Sequence, residues 1–135
     1  MNIQEISDIL GVCWPLRMPK YVLITDERIS QQHNGQTFFR GLQPKSRGDI
    51  VVLGVDANIT TVPHESWHAM TGFGELTAHP IGNLFARRYE RLKQFPRLKD
   101  ALTRRVQYRE VDSASEFPNF SKYQGRAKLY AAVEG

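Results

Sequence analysis

The sequence contains a single cysteine, Cys13, among its 135 residues. One thiol cannot form a disulfide within the chain, and a cysteine-based zinc knuckle needs at least two thiols. Both kinds of stabilising site are therefore excluded. Any metal ion that this chain holds must be bound by histidine, aspartate or glutamate.

Long apolar runs are also missing. No run approaches the roughly 20 residues that a helix needs to cross a bilayer. The first ten residues, MNIQEISDIL, include two acidic side chains where a secretory signal would carry basic ones. We therefore expect a soluble, cytoplasmic or otherwise intracellular protein without a membrane partner.

The overall composition is that of a folded protein. Hydrophobic residues make up 41% of the chain and charged residues 24%, which is close to the globular average and argues against wholesale disorder. The length suits one domain with a buried core. We expect residues 1–135 to form that single domain.

Three segments in the first half have the composition of β-strands: residues 20–26, 37–42 and 49–55. They are rich in β-branched and aromatic residues. The segments between them, QQHNGQ and QPKSRGD, hold Asn-Gly, Pro and Gly turn signals that favour hairpin connections. The pattern predicts one small, mostly antiparallel sheet, to which the apolar KLYAAV at 128–133 adds a strand or a helical turn.

Helical periodicity dominates the rest of the chain. Apolar residues recur at helical spacing in residues 2–10, and cap and proline signals predict a helix over 61–71. Because GFGELTAHPIG (72–82) holds three glycines and a proline, we expect it to be a loop. Further helices are predicted over 83–95 and from Pro96 onward. The expected fold is α+β, with the small sheet packed on the helix at 61–71 and on further helices.

That helix carries the motif His-Glu-x-x-His, as His64, Glu65 and His68. Residues four apart lie on one helix face with Cβ atoms about 5 to 6 Å apart, so both imidazoles can bind one ion. Zinc accepts His nitrogens, and its catalytic sites use three protein ligands and a water. Glu65 is rotated about 100° from His64 and can serve as the general base. The alternative is two surface histidines on an amphipathic helix.

A catalytic zinc site needs a third protein ligand, and three residues downstream are candidates. His79 lies 11 residues beyond His68, Glu75 lies seven beyond it, and Glu90 lies 22 beyond it. His79 is favoured because it lies just before the next predicted helix and because His is a common catalytic-zinc ligand. Glu90 and Glu75 stay open as alternatives.

The stretch VPHESWHAM...AHPIGNLFARRYERL resembles the zincin metallopeptidases, and among them most closely the small SprT/Spartan-like branch. The resemblance covers about 30 residues. It implies His64, His68 and His79 as ligands of Zn2+, Glu65 as the catalytic base and Phe85 as a packing aromatic. The chain has Pro80 where that branch usually has glycine.

Thr71 and Gly72, and the stretch ARRYERL around Glu90, resemble a second zincin type, the ArdC-like and ImmA-like metallopeptidases, in which a glutamate is the third ligand. Either resemblance implies a zinc-dependent metallopeptidase that hydrolyses peptide bonds of a peptide or protein substrate. A non-catalytic zincin-like protein with a structural zinc, such as a viral or mobile-element component, is the first alternative. A basic nucleic-acid-binding domain with incidental histidines is the second.

Positive charge is concentrated in residues 87–105, which carry eight basic and two acidic side chains. This stretch therefore has a net charge of +6, while the whole chain has +4. A basic face of this kind can bind nucleic acid, although charge runs on helices are more often plain solvated surface. We expect nucleic acid as a further candidate partner.

Overall fold

A computed structural model describes residues 1–13, 18–26, 29–32, 36–39, 41–42, 49–71, 74–112 and 127–133. The helices are α1 (Ile3–Gly11), α2 (Thr61–Thr71), α3 (Glu75–Leu92) and α4 (Pro96–Thr103). The strands are β1 (Tyr21–Ile24), β2 (Ile29–Gln32), β3 (Gln36–Phe39), β4 (Gly41–Leu42), β5 (Ile50–Leu53), β6 (Tyr108–Val111) and β7 (Lys128–Ala132).

The main sheet has five strands in the order β4-β5-β1-β7-β6. Three of its four pairings are antiparallel, and the central pair of β1 and β5 is parallel. The predicted α+β class and the small, mostly antiparallel sheet are thereby confirmed. The antiparallel pairing of β4 with β5 agrees with the hairpin predicted between 37–42 and 49–55. The hairpin predicted between 20–26 and 37–42 is wrong, because β1 pairs with β5, in parallel, and with β7.

The strand predicted over 37–42 is divided between two sheets. Residues 36–39 form β3, which pairs with β2 as a separate two-stranded antiparallel sheet, whereas β4 pairs with β5. The prediction of a single sheet is therefore wrong, although β2 and β3 do form an antiparallel pair. The Asn-Gly turn signal between them, at residues 33–35, lies outside the described residues.

The main hydrophobic core lies between one face of the sheet and the helices. Val22 of β1 and Val51 and Leu53 of β5 belong to the same buried cluster as apolar residues of α1, α2 and α3. The alternate residues of these strands, Leu23 and Val52, belong to a second cluster on the other face. Strand β5 is buried on both faces, which explains its almost wholly apolar sequence.

Helix α3 contradicts one prediction, because it begins at Glu75 and runs through the segment expected to be a loop. Pro80 lies inside it. A proline there removes one helical hydrogen bond, to the carbonyl of Leu76 four residues earlier. Since Leu76 is 93% exposed, water can take the place of the missing donor. The other predicted helices agree with α1, α2 and α4.

Among the residues that the structure describes, none of the helices has the length and the apolar character that crossing a membrane requires.

Helices α1 and α4 approach each other closely at Gly11. A Cβ atom on Gly11 would lie 2.8 Å from the Cα of Thr103, which is too close for backbone to accommodate. Alanine favours an isolated helix over glycine by about 1 kcal/mol, but overpacking costs about 1 to 3 kcal/mol. We therefore expect Gly11→Ala to lower the free energy of unfolding, measured by urea denaturation. Gln4→Ala, at an exposed position of α1, is the control and should change the free energy of unfolding by at most about 0.5 kcal/mol. A Gly11→Ala protein that is more stable than wild type would contradict the close packing of α1 and α4.

Burial raises the pKa of the Cys13 thiol from its ordinary value of 9.0 to about 12, against an opposing effect of Arg88. The pKa of the thiol is higher in the folded protein than in the unfolded chain. The contribution of the protonated thiol to the free energy of unfolding is therefore complete below pH 9 and is lost as the pH rises from about 9 to 12. We expect Cys13→Ala to reduce the fall in unfolding free energy over that range, measured by denaturation at several pH values. An unchanged pH slope would show that the thiol is not buried as described.

Candidate metal centre

The start of α2 is determined by an asparagine that precedes it. The Asn58 Oδ1 accepts hydrogen bonds from the backbone N–H groups of Thr60, at 3.0 Å, and of Thr61, at 3.2 Å. In return the Thr61 Oγ1 accepts one from the Asn58 N–H at 3.2 Å. Asn58 thus supplies the capping oxygen. Thr60, one of the two residues predicted as the cap, is the N-cap position, because its carbonyl accepts the first helical hydrogen bond from the His64 N–H at 3.2 Å. The cap places the motif in the first two turns.

Helix α2 has one buried face and, opposite it, one partly exposed face. Val62 and Ser66 are each 1% exposed, and the Ser66 hydroxyl donates to the Val62 carbonyl at 2.7 Å. His64 and His68 lie on the other side, with side chains 15% exposed. The buried face therefore anchors α2 in the core, while both imidazoles reach the surface from the partly exposed face.

Two contacts bring the first half of α3 against the partly exposed face of α2. The indole N–H of Trp67 donates to the Thr77 hydroxyl at 2.9 Å. Gly82 lies so close to α2 that an added Cβ would be 3.1 Å from the Thr60 carbonyl oxygen and 3.3 Å from the His64 Cβ. The absence of a side chain at Gly82 therefore allows the helices to approach, and Glu75 is carried to the two histidines.

The side chains of His64, His68 and Glu75 converge at this junction. The His64 Nε2 lies 2.8 Å from Glu75 Oε2, and the His68 Nε2 lies 2.9 Å from Glu75 Oε1. The two Nε2 atoms are 3.2 Å apart. One donor atom from each of the three residues lies within 4.8 Å of the other two.

These distances fit the coordination shell of zinc. Two ligand atoms bound to a tetrahedral zinc at 2.0 to 2.1 Å are about 3.3 to 3.4 Å apart. The two Nε2 atoms, 3.2 Å apart, come close to that separation. The contacts of 2.8 and 2.9 Å reach different oxygens of Glu75 and have the lengths of hydrogen bonds. Two imidazoles and one carboxylate also form a known catalytic zinc set.

Glu65 lies beside the cluster without belonging to it. Its Oε1 is 3.9 Å from the His64 Nε2, and the residue is 8% exposed. Burial raises the pKa of this carboxyl to about 7, with His68 lowering it and Glu75 raising it further. A buried carboxyl with such a pKa is suited to accepting and donating a proton near neutral pH.

The protonation state of His64 also suits metal binding. Burial lowers the pKa of its imidazole from 6.5, while the charge of Glu75 opposes that effect. The unprotonated ring is therefore favoured at neutral pH, and this is the form that binds a metal ion.

The other two candidates for the third ligand occupy different positions. The His79 Nε2 lies 3.2 Å from Glu75 Oε2, and its ring is 4.7 Å from that of His64 between centroids, so it borders the cluster. Glu90 lies 15 residues beyond Glu75 on α3, which is about 22 Å along the axis, and pairs with Lys93 at 3.3 Å. That His79 is a ligand stays a prediction, whereas Glu90 is remote from the cluster. Phe85 is buried in the core at 4% exposure.

Four of the eight basic side chains in residues 87–105 have partners among the residues that the structure describes. The pairs are Arg88 with the Val12 carbonyl, Arg105 with the Gly11 carbonyl, Lys93 with Glu90 and Lys99 with Asp8. The remaining four are exposed: Arg87, Arg91, Arg97 and Arg104. The nucleic-acid partner stays a prediction, and these four arginines are the residues that would serve it.

Comparison of the chain with protein-family models, curated proteins and solved structures finds no match.

We expect the protein to bind one equivalent of Zn2+ and to lose affinity in His64→Ala, His68→Ala and Glu75→Gln variants, because each removes a donor from the cluster. Titration against a chromophoric chelator measures this affinity. The metal should also raise the melting temperature, since a ligand at 100 times its Kd adds about 2.7 kcal/mol of stability.

Glu90→Gln is the matched control, the same substitution on the same helix about 22 Å away. It should leave zinc affinity unchanged. Equal effects of Glu75→Gln and Glu90→Gln would contradict a site built on Glu75.

Proposed function

We propose that this protein is a zinc-dependent metallopeptidase in which His64, His68 and Glu75 hold the metal and Glu65 is the general base. The observation that carries the proposal is the convergence of these three donors within 4.8 Å of one another, with Glu65 3.9 Å from His64. The chemistry that zinc supplies when bound by such a set is that of a Lewis acid, which acidifies a water ligand and polarises a carbonyl.

The position of Glu65 supports its proposed role in proton transfer. Its carboxylate follows the first histidine of the motif, so it faces the cluster from the side and leaves the donors free. In the proposed reaction it takes the proton of the attacking water and delivers it to the amine leaving group. Burial of this carboxyl at 8% exposure limits competition from bulk water.

One edge of the sheet supports a proposed mode of substrate binding. Strand β4 lies at one edge of the five-stranded sheet, and α2 contacts both β4 and β5. An extended peptide can add to such an edge through backbone hydrogen bonds. We therefore propose that a peptide or protein substrate lies along β4, with its scissile bond directed to the cluster on α2.

A structural zinc site in a non-catalytic protein is the alternative that one observation favours. His79 Nε2 lies 3.2 Å from Glu75 Oε2, and its ring is 4.7 Å from that of His64 between centroids, so a possible fourth donor lies close to two of the three. Structural sites have four protein ligands, whereas catalytic ones keep a position open for water. If His79 moved onto the metal, the site would be closed and Glu65 would have no catalytic role.

The two functions are separated by Glu65→Gln, which preserves the size of the side chain and removes its basicity. We expect this variant to retain zinc and to hydrolyse a quenched fluorescent peptide library about 10²- to 10⁴-fold more slowly, the usual contribution of general acid-base catalysis. Glu90→Gln serves again as the control and should hydrolyse the library at the wild-type rate. Wild-type protein that carries zinc but cleaves nothing would support the structural alternative, and an active Glu65→Gln protein would rule out Glu65 as the base.

A further inference from the structure

His79 lies beside the cluster formed by His64, His68 and Glu75. The two residues are four apart on α3, the spacing that brings side chains together on one helix face. The His79 Nε2 lies 3.2 Å from Glu75 Oε2, and the His79 ring stands edge-on to that of His64. The side chain of His79 is 71% exposed, so these two contacts, more than burial, hold it in place.

Glu75 needs such a contact, because it is the first residue of α3 and its side chain is 64% exposed. In the described residues its carboxylate contacts the imidazoles of His64, His68 and His79. A histidine that binds a metal through Nε2 uses that lone pair and has no proton there to donate. Once His64 and His68 hold a metal, His79 is the one of the three that keeps an N–H for Glu75.

We propose that His79 is a positioning residue, which donates its Nε2–H to Glu75 Oε2 and so directs Oε1 of the same carboxylate at the metal. Ligating carboxylates are commonly oriented by a hydrogen-bond donor of this kind, and loss of such a partner lowers metal affinity about 10- to 100-fold. The inference rests on the proposed function in one respect, that Glu75 is a ligand. It does not require peptide hydrolysis.

The test is Co2+ binding by the full chain, measured from the visible d–d absorption for four proteins: wild type, His79→Ala, Glu75→Ala and the double variant. His79→Ala should weaken binding 10- to 100-fold while the absorption bands keep their positions, because the ligand set is unchanged. In the Glu75→Ala background the same change should have no further effect, since His79 acts through Glu75. An equal loss in both backgrounds would overturn the proposal.

His79→Gln provides the second arm, because its amide N–H can still reach Glu75 while an amide is a poor zinc ligand. We expect affinity within about threefold of wild type. If His79 is itself a ligand, His79→Gln and His79→Ala should lose affinity alike and shift the absorption bands, which overturns the positioning role. If neither variant changes affinity, or if the wild-type protein binds no Co2+, the proposal also fails.

Peptidase activity separates this inference from the proposed function. Loss of the coupling between His79 and Glu75 in an active enzyme contradicts only the positioning role. Intact coupling in a protein that cleaves no peptide contradicts only the catalytic proposal.

Discussion

The candidate site depends on how closely α2 and α3 approach each other. Both histidines of the motif are on α2, but the carboxylate that faces them is on α3, so neither helix contains the cluster alone. Gly82 sets the separation, because any Cβ there would press on the Thr60 carbonyl and on His64. The hydrogen bond from Trp67 to Thr77 then aligns the first turn of α3 with the second turn of α2. A displacement of an ångström at this junction would separate donors that lie 2.8 to 3.2 Å apart.

The same junction explains which parts of the site could be predicted from the sequence. His64, Glu65 and His68 are local to one helix, and the 3.6-residue period alone places the two imidazoles on one face. Glu75 is brought to them by tertiary packing. Its segment has three glycines and a proline, and local rules read such a composition as loop. In the structure, Gly74 is the N-cap of α3, Pro80 lies one turn after the exposed Leu76, and Gly82 permits the helix contact.

A signal for Glu75 was nevertheless present. Glu75 and His79 are spaced four apart, as His64 and His68 are, and two such pairs on consecutive helices predict two facing sets of donors. The sheet was predicted to the level of its class for a similar reason. Composition identifies β1 and β5 as buried strands, but whether neighbours run parallel depends on the path of the chain between them. That path includes a separate two-stranded sheet, β2 and β3, which hairpin signals alone do not place.

Charge balance gives a further argument for a cation at this junction. Glu65 and Glu75 bring two carboxylates to the cluster, while burial favours the neutral form of His64. Glu65 is removed from water at 8% exposure, whereas the Glu75 side chain stays 64% exposed. Burying a carboxylate is unfavourable unless positive charge compensates it. The pKa of Glu65, raised to about 7 by burial with a further contribution from Glu75, is the expected response of a buried carboxyl that lacks such compensation. A divalent ion between the imidazoles and Glu75 would supply it and would favour the ionised form of Glu65. The proposed reaction needs that ionised form, since a general base must be ionised before it can accept a proton.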